Sequence, residues 1–444
     1  MFKGIAGVIF IMLIVAAQVN AEEKKAEESA GPFEFADFSW APGNYGPPDS
    51  FFKTDHFVPE LRLDSDYNYS FAHPRDNTIS GSSEVFRHNE FQVTQIGFGG
   101  DVNYKDVGFR LMTQFGMYAT TTPRNDPSTS KGQWQLDNAY RYISEAYGTY
   151  HINYDKGINI QSGIFMSYVG LWSYYNFDNW TYQPSYVSSN TPWFFNGMRI
   201  QYFPNERLKI EPWLVNGWQA YGKFNEAPGV GLQILWKPTG DWTILGNQYY
   251  GADTLATPGR ERVHSDDSVM YKYYENQNAK VSKAAVSLTV DAGCEQGGGV
   301  DCGNQYFLGF MAYHRMWFLH DHFGLTIGGG AINNPGRYLV LTPPVNGATA
   351  YSGAQGFNQS SPPPQTFHAW DMQVTGDWMP TRNLTFRLEY THREADVPYF
   401  EGPGGLTPPD ASGAPVNQAN PPANWSPDLV KKEDRMTAAM LIRL

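Results

Sequence analysis

Apolar residues recur at every second position along most of the chain, and they hold that phase across tight turns. Ile96, Phe98, Gly100, Val102 and Tyr104 form one such row; Lys105 and Asp106 intervene, and Val107, Phe109, Leu111, Thr113, Phe115 and Met117 continue it. A two-residue hairpin places its flanking residues opposite each other on one face, so the register agrees on both sides. Gly148, Tyr150, Ile152 and Tyr154 pass through Asp155-Lys156-Gly157 into Ile158, Ile160, Ile164 and Met166 in the same way. Five-residue connections keep the phase between Tyr202 and Leu208, Trp236 and Trp242, and Trp378 and Leu384. Period-two alternation of this kind predicts strands with one apolar face. Sixteen are expected, starting near Phe57, Asn89, Val107, Ala139, Ile158, Phe194, Leu208, Gly229, Trp242, Ser268, Val281, Gln305, Phe323, Phe367, Leu384 and Glu433. The hairpin at 268–291 has the loosest turn, and without it the count is fourteen.

The apolar positions beside the tight turns are Tyr104, Tyr154, Tyr202, Trp236, Trp242 and Trp378. Amphipathic rings settle at the headgroup level of a bilayer, so this row predicts an aromatic girdle at one membrane interface. The other connections, near 72–89, 120–137, 170–192, 219–228, 251–267, 291–304, 334–366 and 394–432, are long and rich in turn formers. Short turns at one end and long loops at the other match the periplasmic and extracellular ends of an outer-membrane barrel. Met436, Ala438, Met440, Ile442 and Leu444 alternate with Arg435, Thr437, Ala439, Leu441 and Arg443, as a closing strand would. Such a strand looks like the signal engaged by the barrel assembly machinery, although it ends in leucine rather than the usual aromatic residue. The fold expected is an all-β, transmembrane antiparallel β-barrel of the bacterial outer membrane.

Composition fits a barrel that hides its hydrophobicity. Mean hydropathy is -0.46, yet only 17% of residues are charged and 16% are aromatic, against about 25% charged in soluble domains. The start carries Lys3, an apolar run of about 13 residues from Ile5 to Ala17, and Val19-Asn20-Ala21 before Glu22. That run is shorter than the roughly 20 residues of a spanning helix. It predicts a signal peptide over 1–21, cleaved after Ala21. Residues 22–55 follow, with Phe33, Phe35, Phe38, Trp40, Phe51 and Phe52 among Pro and Gly. Composition favours a poorly ordered leader there; a plug tucked into the periplasmic mouth is the alternative, and the barrel occupies 56–444. The net charge of -12 argues against nucleic-acid binding, and acidic loops are compatible with cation bridges to lipopolysaccharide. Cys294 and Cys302 flank a Gly-rich loop and are expected to form a disulfide in an oxidising compartment. A two-cysteine metal site is the weaker choice, because no histidine lies between them.

With the apolar face turned to lipid, the alternate positions must line the interior. They include Arg62, Asp64, Asp66 and Asn68 early in the chain, and Asp371 and Gln373 late. The candidates for the pore wall are Arg110, Arg141, Glu145, His151, Arg199, Lys209, Glu211, Arg387, Glu389 and Arg393. Charge of both signs suits a water-filled channel, and sixteen strands leave room for one. Acidic and basic groups facing each other would create a transverse field; individually, each charge is expected only to neutralise a neighbour. Arg110, Arg141 and Arg199 fall near mid-strand and are the constriction candidates. In the strand before His320-Asp321-His322, either Tyr313 and Trp317 or His314 and Phe318 face lipid. Those two histidines lack a third ligand and are expected to be turn residues, so neither a metal nor another cofactor is implied. No nucleophile, base and orienting partner cluster as an enzyme would need.

From Ser167 to Pro204 the chain runs SYVGLWSYYNFDNWTYQPSYVSSNTPWFFNGMRIQYFP, and KIEPWLVNGWQ follows at 209–219. These stretches resemble the putative β-barrel porin-2 family, also described as OmpL-like porins, and the likeness extends through most of the mature chain. The resemblance implies a porin-like outer-membrane protein with no assigned substrate and no catalytic motif. Passive diffusion of small hydrophilic solutes is therefore the expected function. A structural or adhesive barrel acting through loops 334–366 and 394–432 is the alternative, followed by a rim enzyme. The expected surroundings are outer-membrane lipid, lipopolysaccharide, the assembly machinery and small solutes, with homo-oligomerisation left open.

Overall fold

Alternating rows can satisfy their backbone groups in hydrocarbon only if the sheet closes on itself, and it does. The structure, a computed structural model, describes residues 31–43, 50, 52–123, 126–254, 257, 259–336, 367–409, 412–413 and 425–444. The strands are β1 (Phe57–Ser70), β2 (Glu90–Tyr104), β3 (Val107–Thr113), β4 (Ile143–Ile152), β5 (Ile158–Met166) and β6 (Phe194–Asn205). They continue as β7 (Leu208–Val215), β8 (Gly229–Trp236), β9 (Trp242–Gly251), β10 (Glu261–Glu275), β11 (Val281–Gln296) and β12 (Tyr306–Phe318). Last come β13 (Phe323–Asn334), β14 (Phe367–Thr381), β15 (Leu384–Ala395), β16 (Phe400–Glu401), β17 (Leu429–Val430) and β18 (Lys432–Arg443). Each barrel strand pairs antiparallel with its neighbours, and β18 joins β15 to β1, with Arg62 opposite Arg443 and Ser70 opposite Arg435. The barrel has sixteen strands, not fourteen; β16 and β17 form a separate two-stranded sheet.

The tight turns fall where alternation requires them. Tyr104 pairs with Val107 across Lys105-Asp106, and Lys105 adopts φ 53°, the left-handed geometry of such hairpins. Tyr104, Tyr154, Trp236, Trp242 and Trp378 are exposed beside these turns, and Tyr202 is half-buried. Trp242 stacks on Tyr271 of the next strand at 4.1 Å, and Trp378 on Phe386 at 5.1 Å. Phe91, Phe98, Leu308, Phe310 and Leu388 extend the exposed apolar band, far more than a soluble monomer tolerates and what a lipid-facing wall requires. On β12 it is His314 that points outward, bonded to Tyr273, while Tyr313 and Trp317 are buried inside.

Two strand limits differ from the sequence expectation. Residues Leu136–Tyr140 make a helical turn, so β4 begins at Ile143 and Arg141 precedes it instead of lying at mid-strand. The β10–β11 hairpin is longer than expected, because its pairing continues to Glu261 opposite Gln296. Cys294 thus lies within β11 and is bonded to Cys302, with Cα atoms 5.1 Å apart.

The larger difference lies inside. Residues 167–193, which contain the connection expected at 170–192 as an external loop, fold into the barrel, and most of them are buried. Above them, 78–86 and 396–401 also turn inward: Glu401 accepts from Ser70 and from the Ser80 backbone, and Ser82 bonds Gln183. Loop 394–432 is therefore not wholly a surface feature. Residues 337–366 and 414–424 lie outside the described residues, as does the expected signal peptide.

Candidate functional site

The composition of 170–192 explains its destination. This stretch holds seven aromatic residues and one charge, Asp178, a poor surface loop but a good filler for a wide barrel. The inner wall leaves room for it with glycines inside strands, which often mark close approach of another chain segment. A Cβ on Gly231 would stand 1.7 Å from the Tyr168 hydroxyl, and one on Gly330 2.5 Å from the Ser185 hydroxyl. The wall of β12 is apolar where the segment lies against it. Trp172 packs on Tyr313 with centroids 4.9 Å apart and donates to the Met311 sulfur, and Trp180 packs on Trp317 at 5.8 Å. The expected polar lining thus gives way here to an apolar contact.

Charged groups of β14 and β15 grip the segment by its backbone. Arg387 donates to the carbonyls of Asn176 (3.1 Å), Asn179 (2.7 Å) and Thr181 (2.8 Å) while paired with Asp377 through two bonds. Glu389 accepts the N–H groups of Tyr182 and Gln183 at 2.6 and 2.8 Å. Asp371 accepts that of Tyr186 at 2.7 Å. Arg393 stands 4.3 Å over the Tyr186 ring, beside Glu433. Arg387, Glu389 and Arg393 are thereby engaged in holding the segment rather than facing open water.

The opposite wall, β1 to β8, keeps a cavity of about 500 Å³ between itself and the segment, bordered by Glu60, Arg110, Glu145, Arg199, Lys209 and Glu211. A second cavity of about 420 Å³ lies at the short-turn mouth among Lys105, Asp106, His151 and Asn159. The two share Asp101, Asn103, Arg110, Tyr147 and Gln161. Arg110 bonds Glu60, Asp101 and Glu145 at 2.9–3.0 Å. Lys209 bonds Glu211 at 2.9 Å and Gln233 at 2.7 Å. Arg199 donates to Gln161 at 2.6 Å and stands over Phe165 (4.5 Å) and Trp213 (5.0 Å). His151 meets Asn159 and Asn153 at the mouth, whereas Arg141 lies outside both cavities.

The expected arrangement of acids facing bases across the lumen is not what forms. The pairs lie side by side along one strand, as Lys209 with Glu211 on β7, or on nearby strands, as Arg110 with Asp101 and Glu145, where charge-assisted bonds form. Sequence reasoning missed Glu60, Asp101 and Arg443, although Glu60 is in phase with Arg62 and Asp101 with Asn103. It also missed the inward rings Tyr147, Phe165 and Trp213, which sit in polar rows and give no periodic signal. Among the described residues, no three His, Cys, Asp or Glu side chains are grouped to hold a metal ion, and His322 bonds the Met379 carbonyl.

The leader contributes to the same interior. Phe33 donates from its backbone to Glu206 and packs on Phe203, and Gly43 donates to the Asp178 carbonyl. Trp40 is 1% exposed; its carbonyl accepts from the Trp180 indole at 2.9 Å, and Lys237 stands 5.3 Å from its ring.

A closed sixteen-stranded antiparallel barrel with an apolar outer band and a polar cavity beside an infolded segment is an outer-membrane porin fold. Residues 61–413 match the family described as "Putative beta-barrel porin-2, OmpL-like", and the chain belongs to that family. Among solved structures, OprB of Pseudomonas putida is 9% identical with a TM-score of 0.50, over 88% of this chain and 94% of that one. The outer membrane channel DcaP of Acinetobacter baumannii is 12% identical (TM-score 0.48; 89% and 100% covered). An anion-selective porin from Comamonas acidovorans is 7% identical (TM-score 0.48; 87% and 99% covered). At 9% identity the likeness to OprB is one of fold alone. No curated protein matches the chain.

Proposed function

We propose that this porin passes small hydrophilic solutes passively between the infolded segment 167–193 and the wall of β1 to β8. The observation that carries this reading is the polar cavity on that side, which shares its lining with the cavity at the short-turn mouth. The tight turns with their aromatic row face the periplasm, and the long connections face outward. Residues 31–43 act as a periplasmic plug: they cover the mouth over the β6–β7 and β8–β9 turns, where Phe35 lies beneath Arg207 and Phe38 beneath Lys237, and none of them lines the cavity at the β2 to β5 side of the mouth. Planar-bilayer recording of the purified protein tests the pore. Stepwise conductance is expected; a folded barrel with neither conductance nor liposome swelling would remove the reading in favour of a structural or adhesive role.

A further inference from the structure

The charges around this cavity balance one another. Arg110 is surrounded by Glu60, Asp101 and Glu145. Arg62 and Arg443 both hold Asp178, the one charge of 170–192, at 2.9 Å and also approach Glu60. Lys209 and Arg199 flank Glu211 at 2.9 and 3.9 Å. These three clusters contain five acids and five bases. The chain as a whole carries 44 acidic and 32 basic residues, so neutrality here is not the average of the sequence. It arises because each of these charges has an opposite within bonding reach, on its own strand, on a nearby strand or, for Arg62 and Arg443, on the infolded segment.

Balanced pairs create short-range fields that cancel within a few ångströms. An ion entering this cavity meets no net opposite charge to offset any hydration it gives up. A solute with hydroxyl groups meets a different surface. Asn159 donates to Gln201 at 3.1 Å, Gln201 to Glu211 at 2.7 Å, and Lys209 to Gln233 at 2.7 Å. Each amide has further donor and acceptor capacity, and Ser188, Thr191 and Tyr174 border the cavity from the other side. Its volume of about 500 Å³ lies in the range of sites that take small organic molecules.

We propose that this cavity is selective for uncharged polyhydroxylated solutes, the chemical class of small sugars and polyols, over ions of either sign. The proposal rests on the pore reading above and deepens it. Swelling of proteoliposomes in a neutral hexose, its sugar acid and its amino sugar tests it directly. The neutral solute should enter at least about threefold faster than either charged relative, and the cation-to-anion permeability ratio in KCl should stay within about twofold of one. Two single substitutions then tip the balance in opposite directions. Asp101→Asn should move the reversal potential towards anions, and Arg199→Gln towards cations. Both variants should assemble, since Asp101 is 37% exposed and Arg110 keeps Glu60 and Glu145, while Glu211 keeps Lys209. Strong preference of the unmodified protein for either ion, faster entry of a charged sugar, or equal reversal potentials in the two variants would overturn the proposal while leaving the pore standing. Absence of any conductance would overturn both.

Discussion

The Glu389 carboxylate on β15 accepts the backbone N–H of Gln183 at 2.8 Å, although the two residues are 206 positions apart in the chain. It also accepts the N–H of Tyr182, so one inward acid fixes a bend of the infolded segment against the wall opposite the cavity. Glu389→Ala leaves both buried donors unpaired, at about 1–3 kcal/mol for each. The sixteen ladders of the barrel do not depend on it. The variant should therefore reach the membrane folded and show a larger, flickering conductance. Single-channel traces indistinguishable from those of the unmodified protein would mean that Glu389 does not position the segment.

Trp40 links the leader to the same segment through the Trp180 indole. Removing its ring deletes a fully buried aromatic side chain, a change worth about 3–5 kcal/mol in a packed core. Trp40→Ala should release residues 31–43 to added protease in detergent and raise the mean conductance as the mouth widens. A leader as protected as before would show that its docking does not depend on Trp40.

Arg110 and Leu111 are adjacent on β3 and face opposite ways. Leu111→Arg places a cation against hydrocarbon, at a depth-dependent cost of up to about 2–4 kcal/mol, and should lower the amount of assembled barrel in the outer membrane. Arg110→Lys keeps a cation among Glu60, Asp101 and Glu145 and should assemble in full. Equal yields of the two would show that the register of β3 has been misassigned.

The Cys294–Cys302 bond joins the end of β11 to the loop after it. Alkylation without reductant should modify neither thiol, and alkylation after reduction should modify both. Because the closed ring spans only this hairpin end, Cys302→Ser should loosen the loop without changing the barrel's heat resistance. Two reactive thiols in protein taken directly from outer membranes would exclude the bond in the cell.

Most strand positions, the phase of most hairpins and the closing role of Met436 to Leu444 were legible in the sequence, because a strand facing lipid on one side must repeat every two residues; on β12 the choice between Tyr313 with Trp317 and His314 with Phe318 stayed open. Tyr104, Trp242 and Trp378 could be placed beside the tight turns from that period alone. The length of the β10–β11 hairpin was not legible, since both of its faces stay polar enough near Glu261 and Gln296 to resemble a loop. Nor was the start of β4, where Leu136–Tyr140 breaks into a helical turn.

The interior depended on distances that periodicity does not encode. Residues 167–193 could have been suspected from their aromatic content and from the inward Gly231, Gly309 and Gly330, but a loop's direction is decided by partners such as Arg387, Glu389 and Asp371 near the other end of the chain. Some of the charge pairing is likewise a property of closure: Arg443 on β18 reaches Glu60 on β1 only because the last strand pairs with the first. Alternation by itself determined a lipid-facing wall. Closure and infolding decided where the lumen is packed and where it stays open, because those outcomes require groups from distant parts of the sequence, such as Arg387 and Asn179, to share one small volume.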